Sequence, residues 1–412
     1  MDTDIQPTPN LGHAAKRRFL KGRPMQADID LHDQFRHDML VSSTAEERSR
    51  QDFVKSLKFH LASQIAPGNR AAYEGRALPR HLRSGGEAPK DISGVHQVMR
   101  DEPYFRLWSA LQRTSQEMMW HATQVSVERD YDNLKKAPAR PIGSLRLDPS
   151  LPVPRYHSLV DIHCMPGGYH TEFVEDDISA GAVYDRAVYI YAMGRLGPLN
   201  DDIGRSTAAY VKAHFPNLAP KRILDMGCSV GHSTLPYAEL WPDAEIHAID
   251  VGAPMLRYAH ARAESLGKAI HFSQQNAEHT DYEDGSFDLI VSHILVHETS
   301  HHAIRNIMRE AHRLLRPGGV VIHAETPPYR ALDTFDAFML DWDTRNNNEP
   351  YWGASHAIVP ADIAAETGFD PTSAFEGYQP SAFGEAEAKR TNVFQAGDFG
   401  GGGSWYVWGA RK

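Results

Sequence analysis

Only two cysteines, Cys164 and Cys228, occur in 412 residues, too few for a disulfide framework, and both are expected as reduced thiols. No apolar run reaches the ~18 residues needed to cross a bilayer. The opening Met1-Asp-Thr-Asp-Ile-Gln-Pro7 also lacks the basic start and apolar stretch of a signal peptide. The expectation is a cytoplasmic protein with no membrane partner. An excess of positive charge is missing as well: 43 Lys and Arg stand against 53 Asp and Glu, and the acidic surplus lies after residue 150. A polyanion would meet repulsion there, so the expected substrate is a small molecule and not a nucleic acid. The one basic run, Lys16-Arg-Arg-Phe-Leu-Lys-Gly-Arg23, reads as a solvated arm.

What is present suffices for a large core. Apolar residues make up 41% of the chain, with 7 Trp, 16 Tyr and 16 Phe, so the chain is globular, and its length predicts two or three domains. Residues 1–26 carry Pro, Asn, Gly and basic residues without periodicity and are expected to be a mobile arm. From 27 to 150 the pattern is helical. Phe53, Leu57, Leu61 and Ile65 recur every four residues as one apolar face. Residues 66–91, punctuated by Pro67, Pro79, Gly85-Gly86 and Pro89, read as a long connection. Tyr104 to about Lys136 is the longest uninterrupted helical stretch.

The prolines between 137 and 154 read as a linker, which sets a boundary near 150 and leaves 151–219 as a cap region before the core, 220–412. Within the cap, Tyr156 to Met165 is strand-like and Ala180 to Met193 helical; Tyr169, Tyr184 and Asp185 are possible pocket residues.

The most informative stretch is Arg222-Ile-Leu-Asp-Met-Gly-Cys-Ser-Val-Gly-His232. An apolar strand ends in Asp225, and Gly227 and Gly231 bracket a tight turn before a helix. Glycine there permits positive φ and close approach of a ligand to the main chain. A second strand, 244–249, ends in Asp250, placed to accept the hydroxyls of a ribose. Gln275-Asn-Ala-Glu278 follows a third unit. Later come the strand 289–291, the turn Leu315-Arg-Pro-Gly-Gly319 and the strand 320–325.

In this order the motifs resemble those of class I S-adenosylmethionine-dependent methyltransferases, over residues 215–326. The resemblance implies an α/β fold, a Rossmann-like doubly wound sheet of seven strands, with a mainly helical N-terminal domain in front of it. It implies S-adenosylmethionine as cofactor, held by Asp225, Gly227, Cys228, Ser229, Gly231, Asp250, Val251, Asn276, Ala277 and Ser292. Two positions depart from the pattern: Ser229 replaces a common third glycine, and Asn276 replaces an aspartate. Helices ahead of such a core commonly dimerise or cover the substrate, so a homodimer through the N-terminal helices is a possible assembly.

His297-Glu-Thr-Ser-His301 matches the H-E-x-x-H pattern of a zinc site, which makes a zinc hydrolase using His297, Glu298 and His301 one rival reading. Small-molecule O-methyltransferases also carry a histidine 20 residues before the proline of their Pro-Gly-Gly turn, where His297 stands relative to Pro317. On that resemblance no metal is expected, and His297 is the candidate general base, with His293 second; imidazole is the natural proton acceptor near pH 7.

After the fifth strand, residues 326–357 are rich in aromatic and acidic side chains and are expected to form a substrate lid. With Tyr184, the residues Tyr329, Phe338, Trp342 and Trp352 are its expected contacts. The expected activity is methyl transfer to a small molecule, to a hydroxyl or thiol. The alternatives are C- or N-methylation without a base, and a protein that binds the cofactor without catalysis.

Overall fold

Short runs rich in Ile, Leu and Val, each closed by a polar residue, become the parallel centre of an eight-stranded sheet. The strands are β1 (Ser144–Arg146), β2 (Arg222–Met226), β3 (Glu245–Asp250), β4 (His271–Gln274), β5 (Phe287–His293), β6 (Leu315–Glu325), β7 (Ala374–Pro380) and β8 (Ser404–Arg411). Their order is β1-β4-β3-β2-β5-β6-β8-β7. Every pairing is parallel except those of β8, which runs antiparallel to β6 and β7. The computed structural model describes residues 33–135, 141–383 and 403–412; the arm expected over 1–26 lies outside them.

The sheet confirms the α/β class and adds an eighth strand to the seven expected. The addition is β1, which pairs with β4 through Ser144↔His271 and Arg146↔Ser273. The stretch read as linker thus contributes an edge strand to the core, too short for alternation to reveal it. Residues 156–165 are not a strand. They form a helical turn, Arg155–Ser158, and a 3₁₀ turn, Ile162–Cys164, in which His163 (φ 52°) and Cys164 (φ 59°) are left-handed. The 66–91 segment is largely helical, because Pro67 and Pro79 stand at helix starts, where a missing N–H costs nothing.

Chain order creates the crevice. From β2 the chain steps outward to β3 and β4, then returns to lay β5 on the other side of β2. At such a reversal the loops leaving the carboxyl ends of the two central strands diverge, and ligands bind there.

The N-terminal helices pack directly on this core. Helix Ala45–His60 starts with a reciprocal cap: Thr44 accepts from the Glu47 N–H and Glu47 accepts from the Thr44 N–H. Its buried face matches the expected one only in part, since Leu61, just past its end, is fully buried. Phe53 is 59% exposed, whereas Glu47, Gln51, Val54 and Lys58 face inward. Gln51 donates to Ser126 Oγ at 3.0 Å and Lys58 to Gln116 Oε1 at 2.8 Å, both on the long helix Pro103–Leu134. Buried polar groups are tolerated because they are paired, which is why apolar spacing marked only part of the buried face. Met119 and Trp120 of the long helix share a core with Ala180, Val183, Met255 and Tyr258 of the later helices Ser179–Tyr191 and Ala253–Ser265.

The 326–357 segment forms three short helices, Thr334–Leu340, Trp342–Asn346 and Trp352–His356. Phe338 packs on Phe105 (centroids 5.1 Å) and Trp342 on Trp108 (5.5 Å). These aromatics bind the segment to the N-terminal helices.

Candidate functional site

The glycine turn leaves β2 at Asp225. Gly227 (φ 72°), Ser229 (φ 51°) and Gly231 (φ 76°) are all left-handed, so Ser229 adopts the conformation that a third glycine would take without strain. The turn is tied to β3, with the N–H groups of Gly227 and Cys228 both donating to the Ile249 carbonyl at 2.8 and 3.0 Å. A Cβ added at Gly227 would lie 2.5 Å from Leu295 Cδ1, so the main chain here is bare by necessity. Asp250, at the end of β3, accepts from the N–H groups of Ser229 and Gly252, both at 2.9 Å. Burial pushes its carboxyl above the usual range while these backbone donors pull the other way.

Two adjoining cavities open over this edge. The first, about 810 Å³ and partly open to solvent, is lined by Asp250, Val251, Asn276, Ala277, Tyr156 and Glu298, among others. The second, about 860 Å³, reaches under the N-terminal helices to Gln116, Met119 and Trp120, and to Val188, Leu196 and Trp405. They share a wall that includes Tyr184, Gly227, Ser229, His293 and Ile294. Ile294 in that wall has φ 58°, a costly conformation for a β-branched residue and one that collects at functional sites. Tyr184 stands edge-on to Tyr169 (5.5 Å) and stacks on His232 (5.9 Å). His293 is gripped on both sides, with Nδ1 3.2 Å from Asp225 Oδ1 and Nε2 3.0 Å from the Tyr237 hydroxyl.

At the rim of the first cavity lies a buried His–Glu cluster. His163 faces Glu298 with Nε2 (3.0 Å) and Glu349 with Nδ1 (2.8 Å). Burial disfavours its charge, but the two carboxylates outweigh burial and hold its pKa well above the ordinary histidine value. His297 is fully buried and lines neither cavity. Its Nδ1 is 2.7 Å from Glu325 Oε2, at the end of β6, and its ring stands edge-on to Trp352 at 4.8 Å.

The structure therefore separates the expected site residues. Gly227, Ser229, Asp250, Val251, Asn276 and Ala277 line the first cavity, and Asp225, Gly227, Cys228 and Ser229 the second; Tyr184 and His293 belong to both. Gly231 lines neither, its role being the turn itself. Ser292 does not face the cavities either: it is fully buried and its hydroxyl pairs with His323 Nδ1 at 2.7 Å, on the neighbouring strand β6. The side chain of Asn276 accepts from the Glu278 N–H at 2.9 Å, which shapes its own turn.

The lid contacts are corrected: Tyr329, Phe338, Trp342 and Trp352 line neither cavity, because they pack among themselves, on His297 and on the N-terminal helices. Asp185 is also no lining residue. It is a buried hub holding His232 (2.7 Å), Tyr258 (2.8 Å) and Gln34 (3.0 Å).

The H-E-x-x-H spacing breaks in three dimensions. His297 and Glu298 lie in a 3₁₀ turn, while Ser300 caps the next helix and exposed His301 opens it, beside Arg305. No shared helical face carries both histidines, so the zinc-hydrolase arrangement is absent. His163, Glu349, Gln116 and Trp120 join the site without a signal in the sequence; each lies far along the chain from the motifs, and no local pattern marks it.

A methyltransferase-domain family matches residues 223–319. Demethylmenaquinone methyltransferase of Thermus thermophilus is 34% identical over 110 residues, 27% of this chain and 49% of that protein. Malonyl-[acyl-carrier protein] O-methyltransferase of Dechloromonas aromatica is 31% identical over 153 residues, 36% of this chain and 54% of that protein. The chain thus spans about half the length of the curated relatives it matches. Among solved structures, phosphoethanolamine N-methyltransferase 2 of Haemonchus contortus with S-adenosyl-L-methionine is 17% identical, with a TM-score of 0.35 over 50% of this chain and 51% of that one.

Proposed function

We propose that this chain, which carries a methyltransferase domain of the class I S-adenosylmethionine-dependent superfamily, methylates a small organic molecule held in the second cavity. The observation that carries the proposal is the shared wall. A cavity built for a nucleoside, with a carboxylate at the tip of β3, meets a largely apolar cavity at the bare backbone of Gly227.

The residues fit the cofactor. Each Asp250 oxygen already accepts one backbone N–H and retains a lone pair for a ribose hydroxyl. Gly227 has to be glycine, because its φ is positive and the space a Cβ would need is filled by Leu295, and its backbone lines both cavities. Asn276 and Ala277, in the first cavity, would bound the base end; Asp225, which lines only the second cavity and is held by His293 and Thr234, would anchor the turn at the shared wall where the amino-acid end points towards the acceptor. The bound cofactor supplies an electrophilic sulfonium methyl. The chain's task is then to orient the acceptor in line with it, exclude water and take up a proton.

For a hydroxyl or thiol acceptor that reaches from the second cavity across the shared wall, where His163 lines both cavities, the proton goes to Glu298 on the first-cavity side instead of to His297, which lines neither. His163 Nε2, 3.0 Å away, holds that carboxylate in place. His293 is a positioning residue: with one nitrogen on Asp225 and the other on Tyr237, it fixes the strand-end carboxylate and keeps no free acceptor. Gln116, Met119 and Trp120 place the N-terminal helices in acceptor selection, and a homodimer through the exposed Phe53 and Phe59 of the first helix completes the reading. No helix among the described residues is long and apolar enough to cross a membrane.

The test is a calorimetric titration with S-adenosylhomocysteine, followed by native mass spectrometry of the protein with candidate small molecules. One equivalent of S-adenosylhomocysteine and a ternary complex support the proposal. Absence of nucleoside binding contradicts it.

A further inference from the structure

The buried cluster beside the first cavity contains an unmet demand. His297 Nε2 and Glu349 Oε2 are both buried, have no hydrogen-bond partner, and face each other across 4.0 Å. An unpaired acceptor costs about 1–3 kcal/mol, more when charged, and here a carboxylate and an imidazole nitrogen share one dry space. Glu298 Oε1 lies 3.8 Å from the same nitrogen, and a cation placed among these groups would meet every one of them.

We propose that His163, His297 and Glu349 bind a divalent first-row transition metal ion, with Glu298 at its open side. One ligand atom from each of the three lies within 4.8 Å of the other two. Metal bonds of about 2.1 Å put ligand atoms roughly 3–4 Å apart, so side-chain shifts of about half an ångström close the site. Two imidazoles and one carboxylate form a set that suits zinc or iron(II) and leaves coordination positions open.

The surroundings are those of a built site. Glu325 Oε2, 2.7 Å from His297 Nδ1, fixes the tautomer in which Nε2 carries the lone pair, the usual carboxylate–histidine–metal arrangement. Asn347 donates to Glu349 Oε1 at 2.7 Å and holds that carboxylate. Ligation through His163 Nδ1 would replace its present contacts with Glu349 Oε1 (2.8 Å) and the Asn347 amide (3.0 Å) and leave its Nε2–H donating to Glu298. His163 and Glu298 line the first cavity, so the open positions face the methyl-transfer site, where a bound cation would polarise an oxygen or sulfur acceptor. This set is distinct from the H-E-x-x-H spacing, since His301 is replaced by two residues remote in sequence.

The experiment uses the full chain, stripped with chelator and titrated with Co²⁺ while visible d–d absorption is followed, then with Zn²⁺ by calorimetry. The expected result is one equivalent of Co²⁺ with ligand-field bands, displaced by Zn²⁺, and at least tenfold weaker binding in Glu349→Gln and in His163→Gln. Both variants are checked for folding by circular dichroism, and retained S-adenosylhomocysteine binding in Glu349→Gln, whose residue lines neither cavity, separates this claim from the one about the cofactor. Wild-type protein that binds no metal ion would overturn the proposal. So would a metal equivalent that both folded variants retain at unchanged affinity, because the ion would then sit elsewhere among the 23 histidines.

Discussion

Glu298 Oε1 lies 3.0 Å from His163 Nε2, although one residue follows β5 and the other belongs to a left-handed turn before the first core helix. This pair puts a carboxylate on the wall of the first cavity, which is the basis for proposing Glu298 as the proton acceptor. Glu298→Gln should lower turnover by ~10²- to 10⁴-fold with cofactor affinity within about twofold of wild type, and the acidic limb of the pH–rate profile should disappear. Unchanged turnover in this variant would point to a C- or N-methyl acceptor aligned by proximity alone.

His297→Gln should behave differently. Its ring lines neither cavity and is held by Glu325 and Trp352, so the loss should lower the Tm by several degrees, because a buried carboxylate is left without its partner, and should also weaken the metal ion for which His297 is a proposed ligand. Thermal unfolding and steady-state kinetics on one preparation separate the two variants.

Asp250→Ala should weaken S-adenosylhomocysteine by about 2 kcal/mol, since a charged acceptor for the ribose is lost inside a closed site. Calorimetry reads this directly. Val188→Trp, which fills the second cavity, should leave that affinity unchanged and abolish binding of the acceptor. If both substitutions disturbed the same ligand, the division into two cavities would fail.

Lys58 gives a pH test of the helical packing. Burial pulls its ammonium down to about 7 in the folded chain, from 10.5 in the unfolded one, with Asp343 opposing. Between those values the unfolded chain holds more protons, so unfolding free energy rises with pH across this window and is insensitive to this group below it. Wild-type stability should therefore gain on the order of 1–2 kcal/mol from Lys58 between pH 7 and 9. Lys58→Met should flatten that rise, measured by denaturant melts at each pH.

The parts of the molecule legible in sequence are those made locally. Asp225, Gly227 and Asp250 each close a strand or open a turn, so the strand–turn–helix pattern places them on one sheet edge, and Asn276 joins them through the family resemblance. The His163–Glu349 pairing depends on how the cap, the 326–357 segment and the sheet dock, and no periodicity encodes that. The first helix escapes its apolar spacing for a different reason. Its inner face includes Gln51, Lys58 and Glu47, whose burial is compensated by partners on a helix far along the chain, so hydrophobic spacing marks only part of that face and includes the exposed Phe53. Phe338 and Trp342 mislead in the opposite sense, because aromatic residues near a cofactor edge can belong equally to a pocket or to a packed layer.

The most direct measurement is transfer of an isotope-labelled methyl group. S-adenosylmethionine labelled in its methyl is incubated with the full chain and a low-molecular-weight metabolite fraction, with Glu298→Gln in parallel, and products are separated by mass. The account predicts label in a small molecule, with one S-adenosylhomocysteine formed for each methyl moved, and a loss of at least a hundredfold in the variant. Label confined to the cofactor, with S-adenosylhomocysteine no higher than in a protein-free control, would contradict it.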